Sequence, residues 1–103
     1  MNPQFEIRWT PIALESLETK SSFIENKWND EVLGQFYDLM ESKISLLRTN
    51  LRLAPPLSNT IFRRLYIHKI VSMFYSIERL DIFIELIWDN RQDPNKLEEK
   101  LLS

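Results

Sequence analysis

Residues Arg79–Pro94, RLDIFIELIWDNRQDP, combine a long apolar run with a polar, charged end. Apolar side chains occupy both of its alternate sets, with Ile82, Ile84, Leu86 and Trp88 in one set and Phe83 and Ile87 in the other. Only Glu85 interrupts them. Because a strand with two apolar faces is covered on both sides, this pattern predicts a central strand of a sheet. The polar residues 89–94 stop the strand and place charged side chains at its tip.

The chain before this strand predicts another strand and two helices that pack with it. Phe5, Ile7 and Trp9 alternate with charged residues, which indicates a short half-buried strand. Thr10 followed by Pro11 is typical of a helix start, because the hydroxyl can cap free amides and the ring fixes the first helical φ. A first helix is therefore expected from Pro11 to about Asn26.

The two predicted helices each carry one apolar stripe. In the first, the stripe consists of Ala13, Leu17, Ile24 and Trp28, and Lys20 is placed outside it with the acidic residues. Asn29 is the expected N-cap of a second helix that runs to about Asn50, with apolar residues at spacings of three and four. Because so few residues separate the helices, they should form an antiparallel hairpin.

The second half of the chain is rich in strand signals. Leu51–Thr60 contains two prolines and cannot continue a helix, so it should connect the two halves. Three strands are predicted at Ile61–Ile67, Ile70–Glu78 and Leu80–Trp88, and their short turns make them an antiparallel meander. The first strand should join an edge of it. The predicted fold is a two-layer α+β domain spanning residues 1–103, ordered β-α-α-β-β-β, with a helical hairpin packed on a mainly antiparallel four-stranded sheet.

One face of the meander is expected to remain open. On the middle strand, Val71, Met73, Tyr75 and Ile77 form the more apolar set, which the helices should cover. The opposite face is mixed and carries Arg64, Tyr66, His68, Ser72 and Ser76, with Phe62 and Phe74 among them. This concave face is predicted to be the working surface.

Several side chains are candidates for chemistry. Arg63, Arg64, Tyr66, His68 and Lys69 form a basic and aromatic cluster. The cluster could bind phosphate or a partner's carboxylates, or it could be a solvated edge strand blunted by charge. His68 could act as a general acid or base, although a histidine in a turn is more often merely exposed.

The polar segment after the last strand and the C-terminal residues each allow two interpretations. Asp89, Arg91 and Asp93 could form a site, or they could form a turn in which two carboxylates flank a guanidinium. The last residues, NKLEEKLLS, predict a short amphipathic helix whose Leu97, Leu101 and Leu102 either fold back, which is favoured, or meet a partner. The tryptophans Trp9, Trp28 and Trp88 are expected to pack in the core.

The composition excludes several classes of protein. The 103 residues carry a net charge of −2, one glycine, one histidine and no cysteine. A Gly-rich phosphate loop, a disulfide framework and a Cys/His zinc site are therefore not expected, and neither a metal nor a cofactor is predicted. The N-terminal MNPQFEIRWT lacks the apolar core of a secretory signal, and no run is apolar enough to span a membrane, so a cytoplasmic location is expected.

The order of elements resembles the RelE/ParE superfamily of toxins from bacterial toxin–antitoxin systems, which includes plasmid stabilisation proteins. WTPIALESL is similar to the family's opening strand and capped helix, and RRLYIHKIVSMFYSIERLDIFIELIWDNRQDP is similar to its meander and terminal motif. The resemblance implies a toxin that forms a complex with a cognate antitoxin. It also implies a cytoplasmic target, which is either DNA gyrase or messenger RNA on the ribosome.

The departures from that family bear on the target. Tyr75 and Arg91 match positions of the ribonuclease members, but Ser72 stands where those members carry arginine and Leu97 where they carry tyrosine. Together with the acidic net charge, this favours a ParE-like toxin that acts by protein binding, with DNA gyrase as a possible target. Tyr75, Arg91 and Leu97 then join the basic cluster as candidate partner-binding residues.

Two alternatives remain open. The chain could be a ribosome-dependent endoribonuclease that uses Arg64, His68 and Arg91 as a substitute catalytic set, which requires that they converge on the open sheet. It could also be a degenerate, non-toxic member that retains antitoxin binding.

Overall fold

The computed structural model describes residues 5–102, so residues 1–4 of the N-terminal segment considered above and residue 103 lie outside the description. The elements follow the predicted order and end in a C-terminal helix: β1 (Glu6–Trp9), α1 (Pro11–Lys27), α2 (Asp30–Thr49), β2 (Arg63–His68), β3 (Val71–Glu78), β4 (Asp81–Asp89) and α3 (Pro94–Leu102). The α+β prediction is confirmed, and β2 begins two residues later than expected. Ile61 consequently lies outside the strand and is 74% exposed.

Both helix starts follow the predicted capping chemistry. The Thr10 hydroxyl accepts a hydrogen bond from the Ala13 amide at 3.1 Å, with Pro11 as the first helical residue. Asn29 caps α2 in the same way through the Val32 amide at 2.9 Å. Trp28 and Asn29 are the only residues between the two helices, which therefore form the expected hairpin.

The four strands form one sheet in the order β1-β4-β3-β2. The meander pairs are antiparallel, whereas β1 runs parallel to β4 with Glu6 opposite Asp81 and Trp9 opposite Ile84. The prediction that β4 is an inner strand and β1 an edge strand is confirmed. Because β1 stops at Trp9, no strand among residues 5–102 pairs with the edge of β4 from Glu85 to Asp89 on that side.

A bulge at Glu85 makes the predicted alternation of β4 side chains wrong beyond that residue. Phe74 pairs with Leu86 and Tyr75 with Ile84, so Glu85 is an extra residue in the ladder. One extra residue shifts the alternation by one position, and every side chain after it changes face. Ile82 and Ile84 therefore pack towards the helices, whereas Leu86 and Trp88, predicted to lie in the same set, pack on the opposite face.

The core has two parts, one on each face of the sheet. The larger part lies under the helical hairpin and includes the predicted set from β3 and the apolar stripes of α1 and α2. The smaller part consists of Phe74, Leu86 and Trp88, covered by Leu57, Leu97 and Leu101. α3 thus folds back on the sheet, as favoured from the sequence, through the apolar face that its leucines provide.

Two expectations about the surface are wrong. The mixed face is open only in part, because Ser72 and Ser76 are 0% and 6% exposed and α3 covers the apolar side chains beside them, whereas Tyr66 and His68 are exposed. Trp28 is not a core residue, since it is 49% exposed and meets Phe23 edge-on. Trp88 is buried as predicted.

Among the helices of residues 5–102, none has the length and apolar composition needed to cross a bilayer.

Candidate functional site

The end of β4 connects both layers of the structure. Asp89 and Asn90 are consecutive, so their side chains point to opposite faces of the sheet. Asp89 reaches Lys20 of α1, while Asn90 reaches Arg64 of β2 and Ser72 of β3. The backbone amide of Asn90 donates to the Ile70 carbonyl oxygen at 2.8 Å, which fixes the position of the tip against the β2–β3 turn.

On the helix face, Asp89 is the centre of an ion-pair cluster. Its carboxylate accepts hydrogen bonds from Lys20 Nζ at 2.7 Å, from Arg91 Nε at 3.0 Å and from Arg91 Nη2 at 2.7 Å. The Arg91 backbone amide adds a fourth at 2.9 Å. The side chains of Lys20 and Asp89 are only 10% and 9% exposed, whereas that of Arg91 is 52% exposed. The cluster is therefore anchored at one end and open to solvent at the other.

The contact between Asp89 and Arg91 shifts the pKa of each group in the direction that favours its charged form. The hydrogen bonds from Arg91 hold the pKa of the Asp89 carboxyl well below its usual range, and the hydrogen bond from Lys20 also lowers it, although burial opposes this shift. The same contact with Asp89 raises the pKa of the Arg91 guanidinium. The Asp89 carboxyl and the Arg91 guanidinium therefore both remain charged at neutral pH.

Lys20 was placed outside the α1 stripe from the sequence, and that placement is wrong. Ala13, Leu17, Lys20 and Ile24 follow the spacing of four, three and four that defines one helix face. Lys20 is therefore part of the buried stripe, and its ammonium is neutralised by Asp89, which lies 69 residues away. A charged residue at a stripe position was the available signal, but its partner could not be identified from local spacing.

On the opposite face, Arg64 is held by polar and aromatic contacts. Its Nε donates to the Ser72 hydroxyl at 3.0 Å and its Nη2 donates to Asn90 Oδ1 at 2.6 Å. The guanidinium also lies over the Tyr66 ring at 4.8 Å and the Phe74 ring at 5.3 Å, within the range of cation–π interactions. Ser72, which stands where the ribonuclease members carry arginine, here serves as a buried acceptor for Arg64.

The basic cluster predicted from the sequence is brought together only in part. Tyr66 stacks on Arg64, and the Asn90 side-chain amide donates to the Lys69 carbonyl oxygen at 3.2 Å. The side chains of His68 and Lys69 are exposed at the turn. Arg63 is directed elsewhere, because its Nη1 donates to the Ala54 carbonyl oxygen at 2.5 Å and holds the connection between α2 and β2.

The proposed convergence of Arg64, His68 and Arg91 is not observed. Arg91 is bound to Asp89 on the helix face, whereas Arg64 is bound to Ser72 and Asn90 on the other. His68 is exposed, and its Nδ1 accepts a long hydrogen bond of 3.5 Å from the Ile70 amide. A shared catalytic centre built from these three side chains would require the tip to rearrange.

Three further candidate site residues make contacts within the protein. Tyr75 is 0% exposed, so it cannot contact a partner as predicted, and burial raises the pKa of its hydroxyl. Leu97 packs against the second core cluster. Asp93 accepts a hydrogen bond from the Asn95 amide at 3.0 Å and so satisfies a donor at the start of α3. Among residues 5–102, no group of three or more carboxylate and imidazole side chains could hold a metal ion.

The depressed pKa of Asp89 predicts a specific acid dependence. A carboxyl whose pKa is lower in the folded than in the unfolded protein contributes stability above its unfolded pKa of about 3.9, and this stability is lost as the pH falls further. The difference in the free energy of unfolding between the wild type and Asp89→Asn should be largest at neutral pH and narrow below about pH 4. Urea titrations across that range measure it, and the other carboxyl groups cancel in the difference. A constant difference down to pH 3 would contradict the role assigned to the cluster.

The sequence matches no protein-family model and no curated protein. The structure does match solved structures. A chain of the chromosomal ParDE TA system from P. aeruginosa superposes with a TM-score of 0.71 and 16% identity, covering 84% of this chain and 96% of that one. A chain of the E. coli DinJ-YafQ toxin-antitoxin complex superposes with a TM-score of 0.59 and 13% identity, covering 84% and 92%.

A toxin from Helicobacter pylori gives a similar result, with a TM-score of 0.61 and 15% identity over 82% of this chain and 93% of that one. Each of the three matches extends over nearly the whole of the solved chain, so the likeness concerns the complete sheet and hairpin and not a shared fragment. This chain therefore has the same fold as these chains of toxin–antitoxin systems.

Proposed function

We propose that this chain is the toxin of a two-component toxin–antitoxin module and acts in the cytoplasm, where a cognate antitoxin holds it silent. One observation carries the proposal: the superposition on a chain of the ParDE system extends over 96% of that chain, with a TM-score of 0.71. A fold alone does not specify a function, so the details of the site must support the choice of activity. They favour binding over catalysis.

The side chains that a ribonuclease would need are engaged elsewhere. Cleavage of a phosphodiester requires cations placed where negative charge develops, together with a group that can take or give a proton. The Arg64 and Arg91 guanidinium groups each form two or more hydrogen bonds within the protein. At the positions of the missing family residues, Ser72 is buried, and Leu97 of α3 packs against the smaller part of the core around Phe74, Leu86 and Trp88. The toxin should therefore act by binding a protein, and DNA gyrase is the first target to test.

A second candidate function rests on Arg64. Its guanidinium is only partly buried and lies over the Tyr66 and Phe74 rings, on the same strand as the exposed His68. Arginine and aromatic side chains together bind the phosphates and bases of single-stranded RNA. The alternative is thus a ribosome-dependent endoribonuclease that recognises RNA through this group.

Expression in bacteria tests the class of function. Induction of the chain alone should arrest growth, and co-expression of its cognate antitoxin should restore growth through a stable complex. Arg91→Ala should weaken the arrest, because it removes the exposed cation of the tip. Arg48→Ala, at the exposed end of α2, should not. Growth at the normal rate despite soluble accumulation, with complex formation retained, would instead identify the non-toxic alternative.

Two assays with purified protein then distinguish the targets. The binding proposal predicts that the chain inhibits supercoiling by DNA gyrase and leaves messenger RNA intact in a translating extract. The ribonuclease alternative predicts ribosome-dependent cleavage that Arg64→Ala abolishes, with supercoiling unaffected. A toxic chain with neither activity would reject both targets while leaving the toxin assignment in place.

A further inference from the structure

The guanidinium of Arg91 is bound in a fixed orientation although its side chain reaches solvent. Its Nε donates to Asp89 Oδ1 at 3.0 Å and its Nη2 donates to Asp89 Oδ2 at 2.7 Å, so both carboxylate oxygens take part. Two parallel hydrogen bonds define the plane of a guanidinium as well as its position. The side chain of Arg91 is nevertheless 52% exposed, whereas that of Asp89 is 9% exposed. The carboxylate is therefore an internal support, and the guanidinium is the part that a partner can reach.

Asp89 can hold Arg91 because Asp89 is itself fixed from both layers of the fold. It is the last residue of β4, and the ladder between β4 and β3 fixes its backbone. On the helix side, its Oδ2 accepts a hydrogen bond from Lys20 Nζ at 2.7 Å. The helix that carries Lys20 is joined to β4 by a further hydrogen bond of 2.9 Å, which the Ile87 amide donates to the Ser16 hydroxyl. The orientation of Arg91 thus depends on the sheet and on α1 together.

Arg8 on the same sheet provides a contrast. Its Nε lies 3.1 Å from Asp81 Oδ1, and the two side chains are 57% and 33% exposed. Because water competes for both groups of such a pair, the contact holds the arginine only weakly. Arg8 and Arg91 are therefore about equally exposed, but only Arg91 is bound to a carboxylate that the interior of the protein holds in place.

Arg91 keeps donors for a partner after it has bound Asp89. A guanidinium has five N–H groups, and the contact with Asp89 uses one on Nε and one on Nη2. The other three, two on Nη1 and one on Nη2, can reach acceptors on another molecule because the side chain is half exposed. A long side chain that is already ordered loses less freedom when a partner binds, so the fixed orientation strengthens any contact that Arg91 makes.

We infer that Asp89 is a positioning residue for Arg91, and that the contact between them sets the orientation in which Arg91 binds the target protein. The inference rests on the function proposed above, in which Arg91 contributes to toxicity, and it adds the residue on which that contribution depends. Asp89 acts only through Arg91, because its own side chain is buried. Loss of the carboxylate should therefore weaken toxicity even in a chain whose stability has been restored.

The test in cells compares two variants that differ only in this carboxylate. Lys20→Met and the double variant Lys20→Met/Asp89→Ala both lack the buried ammonium, so neither leaves a charge in the interior without a partner. Both keep the hydrogen bond of the Asn90 amide to the Ile70 carbonyl oxygen, which holds the backbone of the tip. Relative to Lys20→Met, the double variant should need about fivefold more soluble chain per cell to arrest growth, because a mobile arginine loses freedom on binding. Graded induction with immunoblots of the soluble fraction measures this ratio.

A second measurement reports the orientation of Arg91 directly and begins with the purified wild-type chain. In nuclear magnetic resonance spectra, the Nε–H proton of Arg91 should exchange with solvent about tenfold more slowly than that of Arg8, because its hydrogen bond to a buried carboxylate protects it. In the double variant, the two exchange rates should become similar. Thermal melting checks that the double variant matches Lys20→Met in stability, and the comparison within the wild type holds whether or not it does.

Arg8→Gln is the matched control for growth. It removes an exposed arginine at the opposite end of β4 from Asp89, where Arg8 contacts Asp81. The variant should arrest growth at a soluble level within about twofold of that of the wild type, because an exposed and weakly held pair contributes little.

The outcomes separate this inference from the proposed function. A higher threshold for arrest in the double variant, together with fast exchange at Arg91, supports the positioning role. Equal thresholds for the double variant and Lys20→Met overturn it, and so does a wild-type Arg91 proton that exchanges as fast as that of Arg8. Both of these results leave the toxin assignment standing, because the wild type still arrests growth. A wild-type chain that accumulates in soluble form without arresting growth overturns the proposed function, and the positioning role in toxicity is overturned with it.

Discussion

Asp89→Ala is expected to lower the free energy of unfolding by about 3 kcal/mol, because it leaves the buried Lys20 ammonium without its counter-ion. Removing one member of a buried ion pair costs more than the pair contributes as a whole, since the remaining charge is neither hydrated nor paired. For a chain of this size the loss corresponds to a fall in melting temperature of more than about 10 °C. Urea unfolding followed by circular dichroism measures it.

A double-mutant cycle shows whether the unpaired charge causes this loss. Lys20→Met alone should cost only about 1 kcal/mol, because Asp89 retains three hydrogen bonds from Arg91. Adding Lys20→Met to Asp89→Ala should recover most of the stability, since no charge then remains buried. Additive losses in the double variant would show instead that the two side chains act independently.

The exposed ion pair between Arg8 and Asp81 is the matched control. Its atoms are 3.1 Å apart, but the two side chains are 57% and 33% exposed. Solvent screens such a pair, so Arg8→Gln should change the free energy of unfolding by less than about 1 kcal/mol. A similar cost at both pairs would contradict the assignment of the Asp89 effect to burial.

Tyr75→Phe is expected to lower the free energy of unfolding by about 2 kcal/mol, although the change removes a single oxygen. The buried hydroxyl donates to the Leu51 carbonyl oxygen at 3.0 Å and accepts from the Ala54 amide at 3.2 Å. Both groups belong to the connection between α2 and β2. Without the hydroxyl, the Ala54 amide is left buried and without this acceptor, and such a group costs more than the hydrogen bond contributes.

The same variant should loosen the connection locally. Amide hydrogen exchange at Ala54 should become faster, and trypsin should cleave after the exposed Arg52 more readily. Tyr66→Phe is the control, because Tyr66 is 55% exposed and its substitution should change stability by less than about 0.5 kcal/mol. Unchanged exchange at Ala54 in Tyr75→Phe would reject the role of the hydroxyl in holding the connection.

The structure changes which residues are available to bind a partner, and Tyr75 is the clearest case. From the sequence, Tyr75 was a partner-binding candidate because it matched a family position, but the structure makes it an internal support. Arg91 is the tip residue that combines exposure with a fixed orientation, since Asp89 binds two of its side-chain nitrogens. The Arg91 tip is therefore a surface available to a partner, whereas the part of the second face around Ser72 and Ser76 is covered.

The element order, both helix caps and the inner position of β4 could be predicted from the sequence alone, which also favoured the return of α3. Each of these follows from interactions within a few residues, because periodicity, capping and turn length act locally. The tertiary structure alone decided that Lys20 pairs with Asp89, that Glu85 bulges and turns Leu86 and Trp88 to the other face, and that Tyr75 holds the connection. Those contacts join residues that are distant in the chain or depend on strand register, and a buried charge reveals its partner only when packing brings the two together.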